Sequence, residues 1–319
     1  MTLKCPICSI PYESTSLCKV NLGYDEEFDL EECPRCGVRY LNPMPTQSQL
    51  SAFYRPQYYG SDWYKQLGLG MAFARSALKR LTPGRFLDIG CGLGYFIKGI
   101  ADNSAWVPSG MEFSDAAARY ARDELGLDVA AGDLGDRQWA DEAFDYIHIR
   151  NVLEHVADPA ELLKECRRII KPDGTLHLLV PNGPIDSEDL IKFYRKEKRS
   201  PLSPSGHLFF FSQASLEQLF ADTGFEIRRS RTYGIRRGLS KIGLWPHFKD
   251  WTKPYRRRLS NIETSVNGEI SLPAKKERPD IYYRYRQFRM NARMLPGLRT
   301  FGLDFELLLR PTAGNILSN

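Results

Sequence analysis

Residues 86–94 read FLDIGCGLG, and this stretch decides the fold of the chain. The apolar run 86–89 is typical of a short buried strand, and glycines follow it at positions 90, 92 and 94. A helix is predicted next, over residues 95–103. Glycine lets the backbone turn sharply and lets a ligand approach closely, because it has no Cβ atom. The stretch therefore predicts a strand, a tight turn and a helix, with a ligand lying across the turn.

The same alternation of strand and helix continues along the chain. Further strands are predicted at 106–112, 128–131, 144–149, 175–180, from 225 onward and at 305–309. Helices are predicted at 63–80, 114–125, 158–170 and 213–223. This order predicts an α/β fold, a doubly wound, Rossmann-like and mostly parallel sheet with helices on both faces.

A predicted turn separates the helix that ends near residue 170 from the strand that follows it. The residues Lys171-Pro172-Asp173-Gly174 contain two residue types that interrupt regular structure. We expect Gly174 to have a positive φ there, as glycine commonly has after a helix. The next strand should then begin at Thr175.

The position of Asp88 indicates which ligand the glycine turn prefers. Asp88 stands just before the glycines, where its negative charge would repel a phosphate and attract an ammonium or sulfonium cation. The glycines are spaced GxGxG, whereas the dinucleotide fingerprint is GxGxxG. The turn therefore favours an aminoacyl sulfonium cofactor over NAD.

Polar groups follow three further predicted strands. Glu112 ends the second strand, about twenty residues after the glycines, which is the offset of the ribose-binding acid in doubly wound sheets. Asp133 and Leu134 follow the third strand, where a carboxylate and a backbone amide can bind adenine. Asn151 follows the fourth. Because ligands of open α/β sheets bind outside the carboxyl ends of the strands, we expect these groups around one ligand.

At these motifs the chain resembles the class I S-adenosylmethionine-dependent methyltransferases, over roughly residues 80–230 and the last strand. The motifs, in order, are FLDIGCGLGYF, GMEFS, AGDL, FDYIHIRNVLEHVADP and KPDGTLHLLVPN. The later stretch GHLFFFSQASLEQLFADTGFEI resembles the segment that follows them in a branch acting on small molecules and glycans. The resemblance implies that S-adenosylmethionine is the cofactor.

We expect nine cofactor-binding residues: Asp88, Gly90, Gly92, Gly94, Glu112, Phe113, Asp133, Leu134 and Asn151. The resemblance implies roles for most of them. Within this set, Asp88 and the glycine backbone would hold the methionine part of the cofactor. Glu112 would hold the ribose, and Asp133 with Leu134 would hold the adenine.

Two Cys-x-x-Cys turns near the start of the chain indicate a metal site. Cys5 and Cys8 form one turn, Cys33 and Cys36 form the other, and 24 residues separate them. Four thiolates leave no open position on a tetrahedral ion, so the predicted Zn²⁺ is structural. So small a module buries little apolar surface, and the metal would provide its folding energy. Redox disulfides and cysteines with no shared role are the alternatives, and Cys18 is either a buried thiol or a replacement ligand.

We expect four parts in the chain: a zinc module at 1–42, a linker and helical cap at 43–80, a methyltransferase domain at 81–232 and 301–312, and a basic, aromatic-rich insertion at 233–300. The net charge is +5, yet residues 228–300 contain 19 Lys or Arg against 5 Asp or Glu. This stretch should meet an anionic partner, such as RNA, a membrane surface or a phosphorylated or lipid-linked glycan. The residues outside this stretch are net acidic, so it could instead contact them in a second copy of the chain. The remaining interpretation is a solvent-exposed basic face that has no partner.

Two histidines are candidates for the general base that methyl transfer to a hydroxyl requires. His155 lies four residues after Asn151, so one helical turn could carry both to the cofactor rim. His207 opens an apolar run, 208–211, that could cover the acceptor. A packing role is the alternative for each histidine.

The predicted function is transfer of a methyl group from S-adenosylmethionine to a small molecule or saccharide. An RNA methyltransferase and a catalytically silent scaffold protein are the alternatives. The clustered cysteines, together with the lack of a leader or an apolar run of about 18 residues, predict a cytoplasmic protein. The basic stretch makes peripheral contact with the inner face of the membrane a further expectation.

Overall fold

The computed structural model of the chain describes residues 2–53, 63–203, 205–233 and 303–312. Its strands are β1 (Thr2–Lys4), β2 (Pro11–Glu13), β3 (Cys18–Val20), β4 (Phe28–Glu32), β5 (Arg39–Asn42), β6 (Arg85–Ile89), β7 (Val107–Glu112), β8 (Asp128–Ala131), β9 (Phe144–Arg150), β10 (Ile170–Pro181), β11 (Phe209–Phe210), β12 (Phe225–Tyr233) and β13 (Asp304–Pro311). Its α-helices are α1 (Gln47–Phe53), α2 (Trp63–Ser76), α3 (Tyr95–Ala101), α4 (Asp115–Asp123), α5 (Pro159–Ile169), α6 (Gly183–Asp186), α7 (Glu188–Glu197) and α8 (Gln213–Asp222). Short 3₁₀ turns cover Leu78–Arg80, Leu134–Asp136 and Leu153–His155.

The central sheet has the strand order β12-β13-β10-β9-β6-β7-β8. Strands β6 to β10 pair in parallel, whereas β13 pairs antiparallel with both β10 and β12. Consecutive residues of β6 enter different apolar clusters, Phe86 the one formed with α2 and α3 and Leu87 the one formed with α5 and α8. Because side chains alternate along a strand, the helices cover both faces of the sheet. The predicted fold class is confirmed.

Local sequence explains where two of these helices begin. The Ser114 side chain accepts a hydrogen bond from Ala117 N and so caps α4. Asp158 caps α5 in the same way by accepting from Glu161 N, and Pro159 occupies the first helical turn. Both helices therefore begin at the residue types that favour a helix N-terminus.

The turn predicted between residues 171 and 174 is wrong in detail. Strand β10 already begins at Ile170, which pairs with Phe144, and its register with β9 then shifts before Thr175. Gly174 is not among the glycines of positive φ. The segment is therefore an irregularity inside a strand, because the chain stays paired with β9 on both sides of it.

The cysteine-rich N-terminal segment forms sheets of its own. Strands β1 and β2 make a hairpin, and a second sheet has the order β11-β5-β4-β3. Strand β11 lies much later in the sequence, after β10 of the central sheet. It pairs antiparallel with β5, with Phe209 opposite Tyr40. The N-terminal sheet is therefore completed by a strand from the chain that follows β10.

The predicted basic insertion, residues 233–300, lies outside the described residues except for Tyr233, which ends β12. The described part of the chain contains no helix that is both long enough and apolar enough to cross a bilayer.

Candidate active site

The glycine turn after β6 has the backbone conformation that its sequence predicts. Gly90, Gly92 and Gly94 have φ values of +74°, +56° and +81°, a region that side-chain-bearing residues rarely adopt. The amides of Gly90 and Cys91 both donate to Met111 O, at 2.7 and 3.1 Å. A Cβ at residue 90 would also collide with Val152 Cγ2. The turn therefore needs glycine for conformation and for space.

Glu112 joins this turn to the end of β7. The carboxylate is buried, and its two oxygens accept from Gly92 N at 2.8 Å and from Ser114 N at 2.9 Å. These backbone donors fix both oxygens at the carboxyl edge of the sheet, beside the glycine turn. Phe113, the next residue, is half-buried.

Asp88 is buried in β6 and is hydrogen-bonded to a histidine that the sequence analysis did not select. Its Oδ1 lies 2.7 Å from Nδ1 of His148, which faces it in the adjacent strand β9. The imidazole stacks on the ring of Phe96, with 4.7 Å between the ring centroids. His148 therefore holds the carboxylate that precedes the glycine turn.

The remaining cofactor candidates follow β8 and β9. Asp133 is exposed and its amide donates to Asp136 Oδ2 at 2.7 Å, while the neighbouring Leu134 is buried. Asn151 is exposed with a φ of +52°, and its amide donates to Leu179 O at 2.9 Å. A left-handed residue other than glycine is uncommon, and such residues cluster at functional sites. The four candidate groups thus lie at the carboxyl ends of neighbouring parallel strands: Asp88 with the glycine turn at β6, Glu112 at β7, Asp133 with Leu134 at β8, and Asn151 at β9.

The two candidate histidines lie against each other, with 4.8 Å between their ring centroids. His155 Nδ1 lies 3.0 Å from Gly206 O, and His207 Nδ1 lies 2.9 Å from Asp186 Oδ2. His155 occupies a 3₁₀ turn that begins only at Leu153, so the expectation that it shares a helical turn with Asn151 is wrong. The two histidines are 52 positions apart in the sequence, and the fold brings them together.

A buried carboxylate, Glu154, completes this cluster. Its side chain is 2% exposed, and neither carboxylate oxygen has a hydrogen-bond partner among the described residues. One ligand atom each from Glu154, His155 and His207 lie within 4.8 Å of one another, so these three groups could hold a metal ion.

The environment separates the pKa values of the three groups. Burial raises the pKa of Glu154 to about 7. Burial, followed by the nearby charge of His207, lowers the pKa of His155 to about 3. Burial alone would also lower the pKa of His207, but the hydrogen bond and charge of Asp186, with the charge of Glu154, outweigh it and raise that pKa. The two histidines therefore differ in their capacity to hold a proton at neutral pH.

Residues 65–230, just over half of the chain, match the protein family described as methyltransferase domain. The chain belongs to the methyltransferase domain family. The matched residues include the glycine turn, Glu112, Asn151 and both histidines of the cluster. The resemblance found in the sequence motifs is thus confirmed, and the fold described above is that of a methyltransferase domain.

Several named proteins are similar to parts of this methyltransferase domain. A ubiquinone biosynthesis O-methyltransferase of Alkalilimnicola ehrlichii is 35% identical over 112 residues, which are 33% of this chain and 45% of that protein. A "Probable S-adenosylmethionine-dependent methyltransferase" of Mycolicibacterium smegmatis is 30% identical over 157 residues, 48% of this chain and 55% of that protein. The solved structure of the YcgJ protein of Bacillus subtilis has a TM-score of 0.44 and 17% identity, covering 79% of this chain and 99% of that chain. The chain spans about half of the length of the curated relatives it matches.

The residues of this methyltransferase domain fit S-adenosylmethionine by the chemistry of their donor groups. The strand order places the ends of β9, β6, β7 and β8 side by side. Asp88 offers a negative charge beside the turn, and Glu112 offers two oxygens that can each accept from a ribose hydroxyl as well as from a backbone amide. Asp133 and Leu134 follow the next strand and offer a carboxylate and a backbone amide, groups that can hydrogen-bond to adenine. The order of these groups matches the order of charge, hydroxyls and base in the cofactor.

The four N-terminal cysteines fit a tetrahedral metal ion. The Sγ atoms of Cys5 and Cys36 are 3.7 Å apart, those of Cys8 and Cys33 are 3.6 Å apart, and all four lie within 4.8 Å of one another. About 3.8 Å is the edge of a tetrahedron whose metal–sulfur bonds are about 2.3 Å long. The hydrogen bond between Cys5 and Cys36 lowers the pKa of the Cys5 thiol and raises that of the Cys36 thiol. Cys18 is buried in β3, outside this group, and burial raises its pKa to about 11.

Three residues near these sites were missed by the sequence analysis: His148, Glu154 and Asp186. His148 and Glu154 lie inside quoted motifs, but their roles depend on which strand or loop faces them. Asp186 lies 21 positions from His207, and no local pattern connects the two residues. A search for titratable side chains near the ends of predicted strands would have selected only the first two.

Proposed function

We propose that this chain is an S-adenosylmethionine-dependent methyltransferase that methylates a hydroxyl group of a small molecule or saccharide. The observation that carries the proposal is the buried Glu112 carboxylate, fixed by the amides of Gly92 and Ser114 at the mouth of a glycine turn. The family match and the O-methyltransferase relative support this reaction class.

The cofactor, when bound, supplies an activated methyl group on a positively charged sulfur, whose departure is favourable because the sulfur leaves neutral. Asp88 would lie on the side of this positive charge, and Glu112 would fix the ribose and thereby the direction of the methyl group. Orientation of this kind is the main contribution that a protein makes to such a displacement. The chain must in addition remove a proton from the acceptor hydroxyl.

The histidine cluster supports proton removal by a group of this chain. His207 belongs to the segment 205–211, and His155 is hydrogen-bonded to Gly206 O in the same segment. An imidazole with a pKa near the working pH is the commonest general base in enzymes. We propose that the acceptor lies between the glycine turn and this cluster.

We also propose that the N-terminal module holds one structural Zn²⁺ through Cys5, Cys8, Cys33 and Cys36. The distances between the sulfur atoms support this, since four thiolates at tetrahedral spacing leave no position for a substrate. The module would then act through its fold and take no part in the chemistry.

Transfer of label from methyl-labelled S-adenosylmethionine to fractionated cell extract tests the proposed reaction. We expect label in the small-molecule or saccharide fraction with the wild-type chain and a strong loss with Glu112→Gln. Glu124→Gln, which changes an exposed carboxylate at the end of α4, should transfer as the wild type does. Label confined to RNA would reject the acceptor class, and transfer to no fraction would reject the enzyme.

A further inference from the structure

The two histidines of the cluster differ in what their Nδ1 atoms contact. His155 meets a neutral backbone carbonyl, Gly206 O, whereas His207 meets a carboxylate, Asp186 Oδ2. In both cases Nδ1 must carry the hydrogen, because each partner only accepts, so the lone pair of each neutral ring is on Nε2. A carboxylate stabilises an imidazolium far more than a carbonyl does, since its hydrogen bond is assisted by charge. Of these two histidines, only His207 is therefore equipped to take up a proton.

Building on the proposed methyl transfer, we propose that His207 is the general base and that Asp186 is its positioning residue. The acceptor O–H bond breaks and its proton goes to His207 Nε2. The acceptor oxygen forms a bond to the methyl carbon, whose bond to sulfur breaks with its electron pair remaining on the sulfur. The imidazolium of His207, paired with Asp186, releases its proton to solvent after the product leaves.

The backbone on both sides of His207 is fixed by other parts of the chain. Gly206 N donates to Leu22 O at 2.8 Å, and Leu208 N donates to Glu154 O at 2.7 Å. Asp186 is held too, because its amide donates to Asn182 O at 2.8 Å at the start of α6. Ring and carboxylate are therefore positioned independently and meet at a fixed hydrogen bond.

The charged groups around His207 favour a proton on its ring. Asp186 on α6 and Glu154 on the 3₁₀ turn both attract it. His155 on the same turn stays neutral, because its burial and the charge of His207 both lower its pKa. Arg39 of β5 donates to Ser187 Oγ at 2.8 Å and to Pro184 O, two residues that flank Asp186 in the chain. The ring centroid of Phe210 lies 5.6 Å from that of His207. Asp304 faces Glu154 and disfavours its ionised form.

The first test is ¹⁵N NMR of the histidine side chains of the full chain, from about pH 5 to about pH 9. We expect His207 as the Nδ1–H tautomer, with a pKa above that of free histidine, and His155 neutral throughout. Asp186→Asn should lower the pKa of His207, because it removes the negative charge that favours the proton. Asp173→Asn, at an exposed position, should leave it unchanged. A His207 pKa that is not elevated, or that does not move in Asp186→Asn, overturns the proposal.

The second test is the pH profile of methyl transfer to the extract fraction that accepts label. We expect the acid limb of the Asp186→Asn profile at lower pH than in the wild type, with a plateau rate lower by about tenfold to a thousandfold. S-adenosylhomocysteine affinity should stay within about twofold, because the substitution does not touch the cofactor residues. His207→Gln should lose the limb and His155→Gln should keep it.

Other outcomes separate the two proposals. A rate loss in Asp186→Asn without a shifted limb would indicate a structural role and overturn the positioning role alone. Metal analysis that finds a second ion per chain, lost in His207→Gln, would make the cluster a metal site and overturn the base. A wild-type chain that transfers no label rejects the proposed function, whereas the NMR result still decides whether Asp186 controls His207.

Discussion

At the scale of single residues, the pair formed by Asp88 and His148 connects sequence to function most closely. Asp88 was predictable because it precedes the glycines in a local pattern, and so were Gly90, Gly92 and Gly94. His148 was not, since its contact with Asp88 depends on β9 lying next to β6. Local spacing thus predicts the candidate cofactor-binding groups, whereas the order of strands in the sheet decides which side chains contact them.

His148→Phe should destabilise the protein by about 1–3 kcal/mol, because it leaves a buried carboxylate without its partner. The phenyl ring should keep the stacking on Phe96. Urea unfolding measures the change. In the double variant Asp88→Asn, His148→Phe the cost should be smaller than the sum of the single costs, since the charge is gone. Strict additivity would show that the two side chains do not interact.

At the scale of elements, the sequence predicted where most strands and helices lie but not how closely they pack. Strand β10 illustrates the limit, because residues 171–174 look like a turn and yet lie within a strand paired on both sides. The crossing of α2 and α3 illustrates it too. Gly70 and Gly99 face the backbone of the other helix, a contact that their sequence positions do not reveal.

Gly70→Ala should destabilise the protein by about 1–3 kcal/mol, because the added Cβ would collide with Phe96 O in the neighbouring helix. A backbone atom cannot move aside as a flexible side chain can. Gly135→Ala is the matched control, since nothing lies within 4 Å of its added Cβ. It should change the free energy of unfolding by less than about 0.5 kcal/mol. Equal effects in thermal or urea unfolding would contradict the close crossing.

At the scale of the whole molecule, the cysteine module and the methyltransferase domain are joined by hydrogen bonds and by strand pairing. Leu41 N donates to Leu208 O at 3.0 Å, and Ser212 Oγ donates to Cys36 O at 2.6 Å. Two strand residues, Phe209 and Phe210, complete the N-terminal sheet. The cysteine spacing predicted that Cys5, Cys8, Cys33 and Cys36 come together, but this junction could not be predicted because so short a strand has no periodic signal. The module thereby holds the segment that carries His207.

Metal removal should therefore lower the rate of methyl transfer more than it weakens cofactor binding, because the module holds the segment that carries His207. We expect one Zn²⁺ per chain by metal analysis, its loss in Cys33→Ser, and proteolysis within residues 1–42 once it is lost. Cys18→Ala, a buried thiol of the same module, should keep the metal. S-adenosylhomocysteine affinity should change by less than about threefold while methyl transfer falls. A Cys33→Ser chain that keeps its zinc would contradict the assigned ligands.

Calorimetric titration with S-adenosylhomocysteine tests the central claim most directly, because it asks whether the glycine turn and Glu112 form the cofactor site. We predict one site per wild-type chain, the same affinity in Glu124→Gln, and an affinity weaker by about tenfold to a hundredfold in Glu112→Gln, as expected for losing hydrogen bonds to a charged group. No binding by the wild-type chain, or equal affinity in Glu112→Gln, would contradict the claim.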